Sequence, residues 1–179
     1  AAGLRHSRAR LFGATGMLGQ GVLREGLIDP DVDLVQTVGR TATRVRHPKL
    51  RELVREDLTD FAPVAKELEG FDACFFCLGV SAAGMKEADY ARVTYGITLA
   101  AAETLSRLNP GMTFVYVSGA GTDSSERGRI MWARVQGRTE TALGRQSIRA
   151  TELFQAGVRE REWVWQLGWQ GGVAMCVKG

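Results

Sequence analysis

Short apolar runs alternate with longer stretches in which apolar residues recur every three or four positions. Residues 10–12 (Arg-Leu-Phe) run into Gly13 and predict a first strand. Residues 17–27 carry a helical period that stops ahead of Asp29-Pro30, and residues 33–38 predict a second strand closed by Gly39-Arg40. A polar, basic stretch over 41–49 leads to a short strand at 50–54, a helix at 61–68 closed by Gly70, and an apolar strand at 73–78. Residues 87–108 form one long helical pattern ended by Asn109-Pro110-Gly111. Thr113-Phe114-Val115-Tyr116-Val117 is β-branched and aromatic, the strongest strand signal in the chain. Residues 130–143 read as helix and 148–154 as a last strand.

Strands separated by helices of this length are βαβ units, which require a parallel sheet covered on both faces. With right-handed crossovers, the expected fold is α/β: a doubly wound, Rossmann-like sheet. The 179-residue length fits one domain, and 45% apolar content with a net charge of +3 excludes disorder for most of it. The expected division is a dinucleotide-binding domain over 1–158 and a Trp-rich segment over 159–179. No run approaches the ~18 apolar residues of a membrane span, and the N-terminus lacks an apolar signal core. A cytoplasmic protein is therefore expected. The first residue is Ala rather than Met, so the numbering is expected to start within a longer chain.

Arg greatly outnumbers Lys among the 23 basic residues, but the Arg are scattered, so nucleic acid is not an expected partner. Cys74 and Cys77 are spaced as C-x-x-C. On a strand, positions three apart face opposite ways, so the two sulfurs cannot share a metal, and none is expected.

Gly13-Ala14-Thr15-Gly16-Met17-Leu18-Gly19 is the most informative segment, because it joins a predicted strand to a predicted helix. Gly13 suits a tight turn, Gly16 a close approach of pyrophosphate to the backbone, and Gly19 close helix–strand packing. The helix start then presents free N–H groups to phosphate. The spacing is G-x-x-G-x-x-G, and a turn kept only for packing is the competing reading.

From Leu11 to Gly19 the chain resembles the opening of extended and atypical short-chain dehydrogenase/reductases. It is most similar to NAD(P)-dependent epimerase/dehydratase-like and Tat-interacting-oxidoreductase-like proteins. The resemblance continues through Val38-Gly39-Arg40, Asp57-Leu58-Thr59-Asp60, Cys77-Leu78-Gly79, Val115-Tyr116-Val117-Ser118 and Val135-Gln136-Gly137, covering about residues 8–158. It implies cofactor contacts from Gly13, Thr15, Gly16, Met17, Leu18 and Gly19. It also implies Asp57 and Leu58 beside adenine, and Cys77, Leu78 and Gly79 along the adenosine ribose. An acidic residue after the second strand would favour NAD(H); Arg40 stands there, with Arg44 and Arg46 behind it, so NADP(H) is expected. Thr94 falls near the family's mid-helix Asn.

The family's catalytic Tyr is paired with a Lys one helical turn later. That pair is missing: residues following Tyr90, Tyr95 and Tyr116 by four are Thr94, Leu99 and Ala120, and the motif frame falls on Trp132 and Gln136. Ser118 is the expected catalytic Ser, with Gly119 an alternative register, and Asp123 and Arg134 are polar groups within possible reach of substrate. The family's Arg-Pro-Gly after the sixth strand reads Gln155-Ala156-Gly157, and the substrate lobe is expected to be missing or truncated. Two functions follow. One is an NADP(H)-dependent oxidoreductase or isomerase on a small carbonyl or sugar-like substrate, slowed by a lost acid/base pair worth on the order of 10²–10⁴. The other is a catalytically silent nucleotide sensor or interaction module, with Trp163, Trp165 and Trp169 as a protein contact.

Overall fold

The computed structural model describes residues 7–146 and, as backbone, 150–156. Six strands form one parallel sheet: β1 (Ser7–Phe12), β2 (Val32–Gly39), β3 (Leu50–Val54), β4 (Ala73–Phe76), β5 (Thr113–Gly119) and β6 (Ala150–Ala156). Their order is β3-β2-β1-β4-β5-β6, the doubly wound arrangement expected. The order reverses between β1 and β4, and the ends of those two strands diverge into loops that open a crevice.

Alternation along the strands divides the core into two layers. Phe12, Cys74, Phe76, Phe114 and Tyr116 face one side and pack under Leu68, Ala101, Leu105 and Leu143. Leu11, Val35, Phe75 and Val115 face the other and are covered by Leu23 and Leu27 of helix α1 (Met17–Ile28). Cys74 and Cys77 fall in different layers, as an i, i+3 spacing on extended chain requires. Phe12, Phe76 and Phe114 stack in sequence across three neighbouring strands, with ring centroids 5.0 and 5.8 Å apart.

One cation sits inside the first layer. The guanidinium of Arg10, 0% exposed, donates from Nε and Nη2 to Gln36 Oε1 (2.9 and 2.8 Å), from Nη1 to the Leu68 carbonyl (3.0 Å) and from Nη2 to the Glu67 carbonyl (3.2 Å). It also lies 3.9 Å from the Phe71 ring centroid. Burial pushes its pKa down to about 10, still cationic at neutral pH. Among the described residues, its hydrogen-bond partners are neutral dipoles, and a ring face covers the charge.

Two helices depart from the periodicity. Residues 61–68 form a 3₁₀ segment, Ala62–Leu68, with Pro63 in its first turn. The single helix expected over 87–108 is α2 (Glu87–Ala91), a π-helical segment Arg92–Ile97, and α3 (Thr98–Leu108). Helix α4 (Met131–Gly144) packs on β5. Among the described residues, no helix is long and apolar enough to cross a membrane. The Trp-rich segment and Gly157 lie outside the described residues.

Candidate functional site

The glycine turn caps β1 at the reversal of strand order. Gly13 has φ +76°, and a Cβ there would lie 2.6 Å from the Cys77 carbonyl and the Leu78 nitrogen. A Cβ on Gly19 would lie 2.0 Å from the Gly13 carbonyl oxygen. Both positions are glycine because the protein's own backbone fills the space. Gly16 is different. Its φ is −76°, and a Cβ would meet only the Gly13 oxygen at 3.4 Å, an ordinary contact. Gly39, at the end of β2, would place a Cβ 3.9 Å from its nearest neighbour, and Gly79, after β4, meets nothing within 4 Å.

These three glycines line one cleft of about 250 Å³, together with Gly13, Thr15, Arg40, Leu58, Cys77 and Leu78. Protein packing does not demand glycine at three of its walls; a ligand pressed against backbone would. Gly16 is also the N-cap of α1, with no side-chain cap and no acidic residue in the first turn, so the helix-start N–H groups lack a side-chain partner. The donor set therefore fits a phosphate-bearing dinucleotide.

Of the remaining expected contacts, Met17 is 75% exposed and, like Leu18 and Gly19, lies on α1 outside the cleft lining. Gly19 acts instead through packing. Asp57 also lies outside the lining: its Oδ1 accepts from the Thr59 amide (2.7 Å) and hydroxyl (2.6 Å), and these bonds hold its carboxyl below the usual range. Arg40 is exposed at the cleft, whereas Arg44 and Arg46 are exposed in the following loop outside its lining. Sequence reasoning missed Val93 and Ile97, which close the cleft from the π segment. Their i, i+4 spacing on a helical stretch was the available signal. Burial pushes the Cys77 thiol up to about 12, although the residue borders the cleft.

At the end of β5 the structure separates the two registers that the sequence left open. Ser118 is 3% exposed and turned toward α4, where its Oγ donates to Glu140 Oε1 at 2.5 Å; Thr122 Oγ1 donates to Glu140 Oε2 at 3.0 Å. Strand alternation takes its hydroxyl inward, so the expected catalytic Ser holds a buried carboxyl and does not line the cleft. Gly119 occupies the open side. Its amide donates to Gln136 Oε1 (2.7 Å), and Gln136 Nε2 donates to the Tyr90 hydroxyl oxygen (3.0 Å).

Asp123 and Arg134 serve local structure. Asp123 accepts from Ser125 and from the Gly128 amide, and Arg134 ties Glu87 (2.7 Å) to the Gly128 carbonyl (2.7 Å). Thr94 sits in the π segment with a buried Oγ1 that has no hydrogen-bond partner among the described residues. No cluster of His, Cys, Asp and Glu suited to a metal occurs among the described residues.

No family model matches the chain. It is 29% identical over 154 residues to Protein FMP52-2, mitochondrial, of Scheffersomyces stipitis, covering 84% of this chain and 65% of that one. Solved structures with the same fold include the PhqB reductase domain from Penicillium fellutanum. That domain gives a TM-score of 0.68 at 19% identity, covering 84% of this chain and 48% of that one. Bordetella bronchiseptica WbmF, in complex with NAD+ and UDP, gives 0.65 at 17% identity, covering 87% and 50%. A short chain dehydrogenase family protein from Francisella tularensis gives 0.60 at 12%, covering 76% and 60%. The chain spans 65% of the curated relative and 48–60% of these structures. It shares with these solved structures the doubly wound, Rossmann-like α/β fold.

Proposed function

We propose that the cleft binds a nicotinamide dinucleotide, NADP(H) in preference to NAD(H). The chain is then the cofactor-binding part of an oxidoreductase or isomerase acting on a small carbonyl or sugar-like substrate. The observation that carries this reading is the set of cleft glycines, Gly16, Gly39 and Gly79, where a side chain would meet no tight protein contact and its absence leaves backbone open to a ligand. Among the structures that share the fold, one is a short chain dehydrogenase family protein and another, WbmF, is in complex with NAD+, which supports the same class of ligand.

In this reading the amides at the start of α1 receive the pyrophosphate. Leu58 forms an apolar wall for the adenine, with Asp57 anchoring its turn, while Cys77, Leu78 and Gly79 run along the adenosine ribose. Arg40 supplies the charge that recognises a 2′-phosphate. The bound nicotinamide would supply hydride chemistry. The chain's own task is to orient it and to keep water from the cleft with Val93 and Ile97.

A second reading, a nucleotide sensor without turnover, is favoured by one observation. Gln136, on which the family resemblance would put the catalytic Lys, has its amide engaged at both ends, and Trp132, on which it would put the Tyr, has no titrating group.

Titration of the purified protein with NADPH and NADH, followed by nucleotide fluorescence, tests the proposal. Saturable binding with NADPH preferred is the expected result. Absence of binding by either nucleotide overturns it. Turnover of NADPH with a carbonyl panel then separates the enzyme from the sensor.

A further inference from the structure

A second cavity of about 560 Å³ adjoins the cleft at Val80. Its walls come from the loop after β4 (Val80, Ser81, Ala82, Ala83), from Tyr90, from Gly119, and from Met131, Trp132 and Gln136 of α4. Among the described lining residues none is charged. The walls are aliphatic and aromatic with few polar groups, a composition suited to an uncharged ligand with an apolar body.

The hydrogen bonds around Tyr90 fix where its proton goes. The Gly119 backbone N–H can only donate, so the Gln136 atom that meets it is the carbonyl Oε1. That sets the amide orientation and leaves Nε2, which can only donate, facing the Tyr90 hydroxyl. The Tyr90 oxygen is therefore an acceptor in this contact, and its own O–H hydrogen remains to be donated. Tyr90 is 2% exposed, and no hydrogen bond donated by its hydroxyl is made among the described residues. A buried donor without an acceptor is costly unless something else supplies one. Ser81, the other hydroxyl in the lining, is exposed in its loop and already accepts from the Ala83 amide.

We infer that the Tyr90 O–H is the hydrogen-bond donor for the oxygen of an uncharged carbonyl ligand in this cavity. Gln136 is the positioning residue that turns the donor toward it. This rests on the carbonyl-substrate reading above and narrows it to ligands without phosphate or carboxylate. A Gly119–Gln136–Tyr90 relay leads from the end of β5 to the ligand oxygen.

The test compares acetophenone with ethylbenzene, which keeps the ring and replaces the carbonyl by CH₂. Affinities are read by ligand-observed NMR titration without nucleotide. Wild type is expected to prefer acetophenone. Tyr90→Phe, which removes only the hydroxyl, is expected to weaken acetophenone by about five- to tenfold and to leave ethylbenzene unchanged. Gln136→Glu presents acceptors to both Gly119 N–H and Tyr90 O–H, so it consumes the free hydrogen. It is expected to abolish the same preference with the Tyr90 ring intact, and the double variant should lose no more than either single one. Ser81→Ala should keep the preference. An undiminished preference in folded Tyr90→Phe or in Gln136→Glu overturns the inference, as does failure of wild type to bind acetophenone saturably. NADPH titration of the same preparations reports separately on the dinucleotide reading.

Discussion

The glycine turn contains its own control experiment. Gly13 and Gly19 answer to packing, while in the proposed function Gly16 answers to ligand, so alanine at the three positions should separate stability from binding. At Gly13, alanine must hold φ near +76°, costing about 1–2 kcal/mol. Its Cβ would also sit 2.6 Å from backbone atoms that have no flexible end to give way, adding about 1–3 kcal/mol of overpacking. The sum is about 2–5 kcal/mol, or roughly 4–20 °C in Tm for a chain of this size. Gly19→Ala keeps an ordinary helical φ, yet its Cβ would be 2.0 Å from the Gly13 oxygen, so its cost reaches or exceeds the upper end of the overpacking range. Gly16→Ala meets nothing closer than 3.4 Å. The entropy it removes from the unfolded chain, about 0.4–1 kcal/mol, offsets a poorer N-cap of similar size, so Tm should move by no more than a few degrees. In the proposed complex its methyl group nevertheless projects where the pyrophosphate touches backbone, and NADPH affinity should fall at least about tenfold, a loss of ~1.4 kcal/mol. Thermal melts and NADPH titrations of the three variants decide the matter. Gly16→Ala binding NADPH as wild type does, or melting as low as Gly13→Ala, would refute the assignment of Gly16 to ligand.

Arg40→Ala should reduce the preference for NADPH over NADH without changing Tm, read by parallel titrations; an unaltered ratio removes Arg40 from the 2′-phosphate. Ser118→Ala deprives the buried Glu140 carboxyl of a hydrogen bond and should cost about 1–3 kcal/mol in denaturant unfolding, with NADPH affinity unchanged. Because burial raises the Cys77 thiol to about 12, its thiolate fraction at pH 8 is about three orders of magnitude below that of a free cysteine. Iodoacetamide labelling, tracked by peptide mass spectrometry, should therefore be correspondingly slow in the native state and accelerate about tenfold per pH unit toward 12. Arg10→Met should destabilise by about 1–3 kcal/mol, because Gln36 Oε1 loses both of its guanidinium donors, whereas the Leu68 and Glu67 carbonyls keep bonds from Asn109 and Gln36. Adding Gln36→Leu to Arg10→Met should recover little of that loss, because it also removes the Glu67 carbonyl's remaining side-chain donor.

The strands, their parallel arrangement and the tight glycine turn after β1 were legible because each depends on local pattern: period-two apolar runs, terminators, and glycines at a strand–helix junction. What escaped depends on atoms distant in sequence. Residues 87–108 have an unbroken helical period, and one wider turn at Arg92–Ile97 changes that period too little to register in composition. The choice between Ser118 and Gly119 turns on a single step of strand alternation, which only the pairing of β5 with its neighbours fixes. Likewise, Asp57 and Leu58 are adjacent in the chain but diverge in role, one capping a turn and the other lining the cleft. The relay through Gln136 joins residues 46 and 17 positions apart, beyond any local signal.

The buried guanidinium of Arg10 has a consequence for how the chain finds its alignment. A parallel sheet of valine, leucine and phenylalanine offers many apolar pairings of similar worth, and sliding one strand past another by two residues keeps every side chain on its proper face. Arg10 is directly opposite Gln36 on β2 and Cys74 on β4. A two-residue slip of β1 would part the guanidinium from the Gln36 carbonyl and from the 3₁₀ carbonyls at once, stranding a charge in hydrocarbon. Misaligned sheets are thereby penalised far more heavily than their apolar contacts alone would dictate. One polar contact singles out a unique registration among near-equivalent ones, and carries that alignment to the strand ends, where the walls of the cleft must meet.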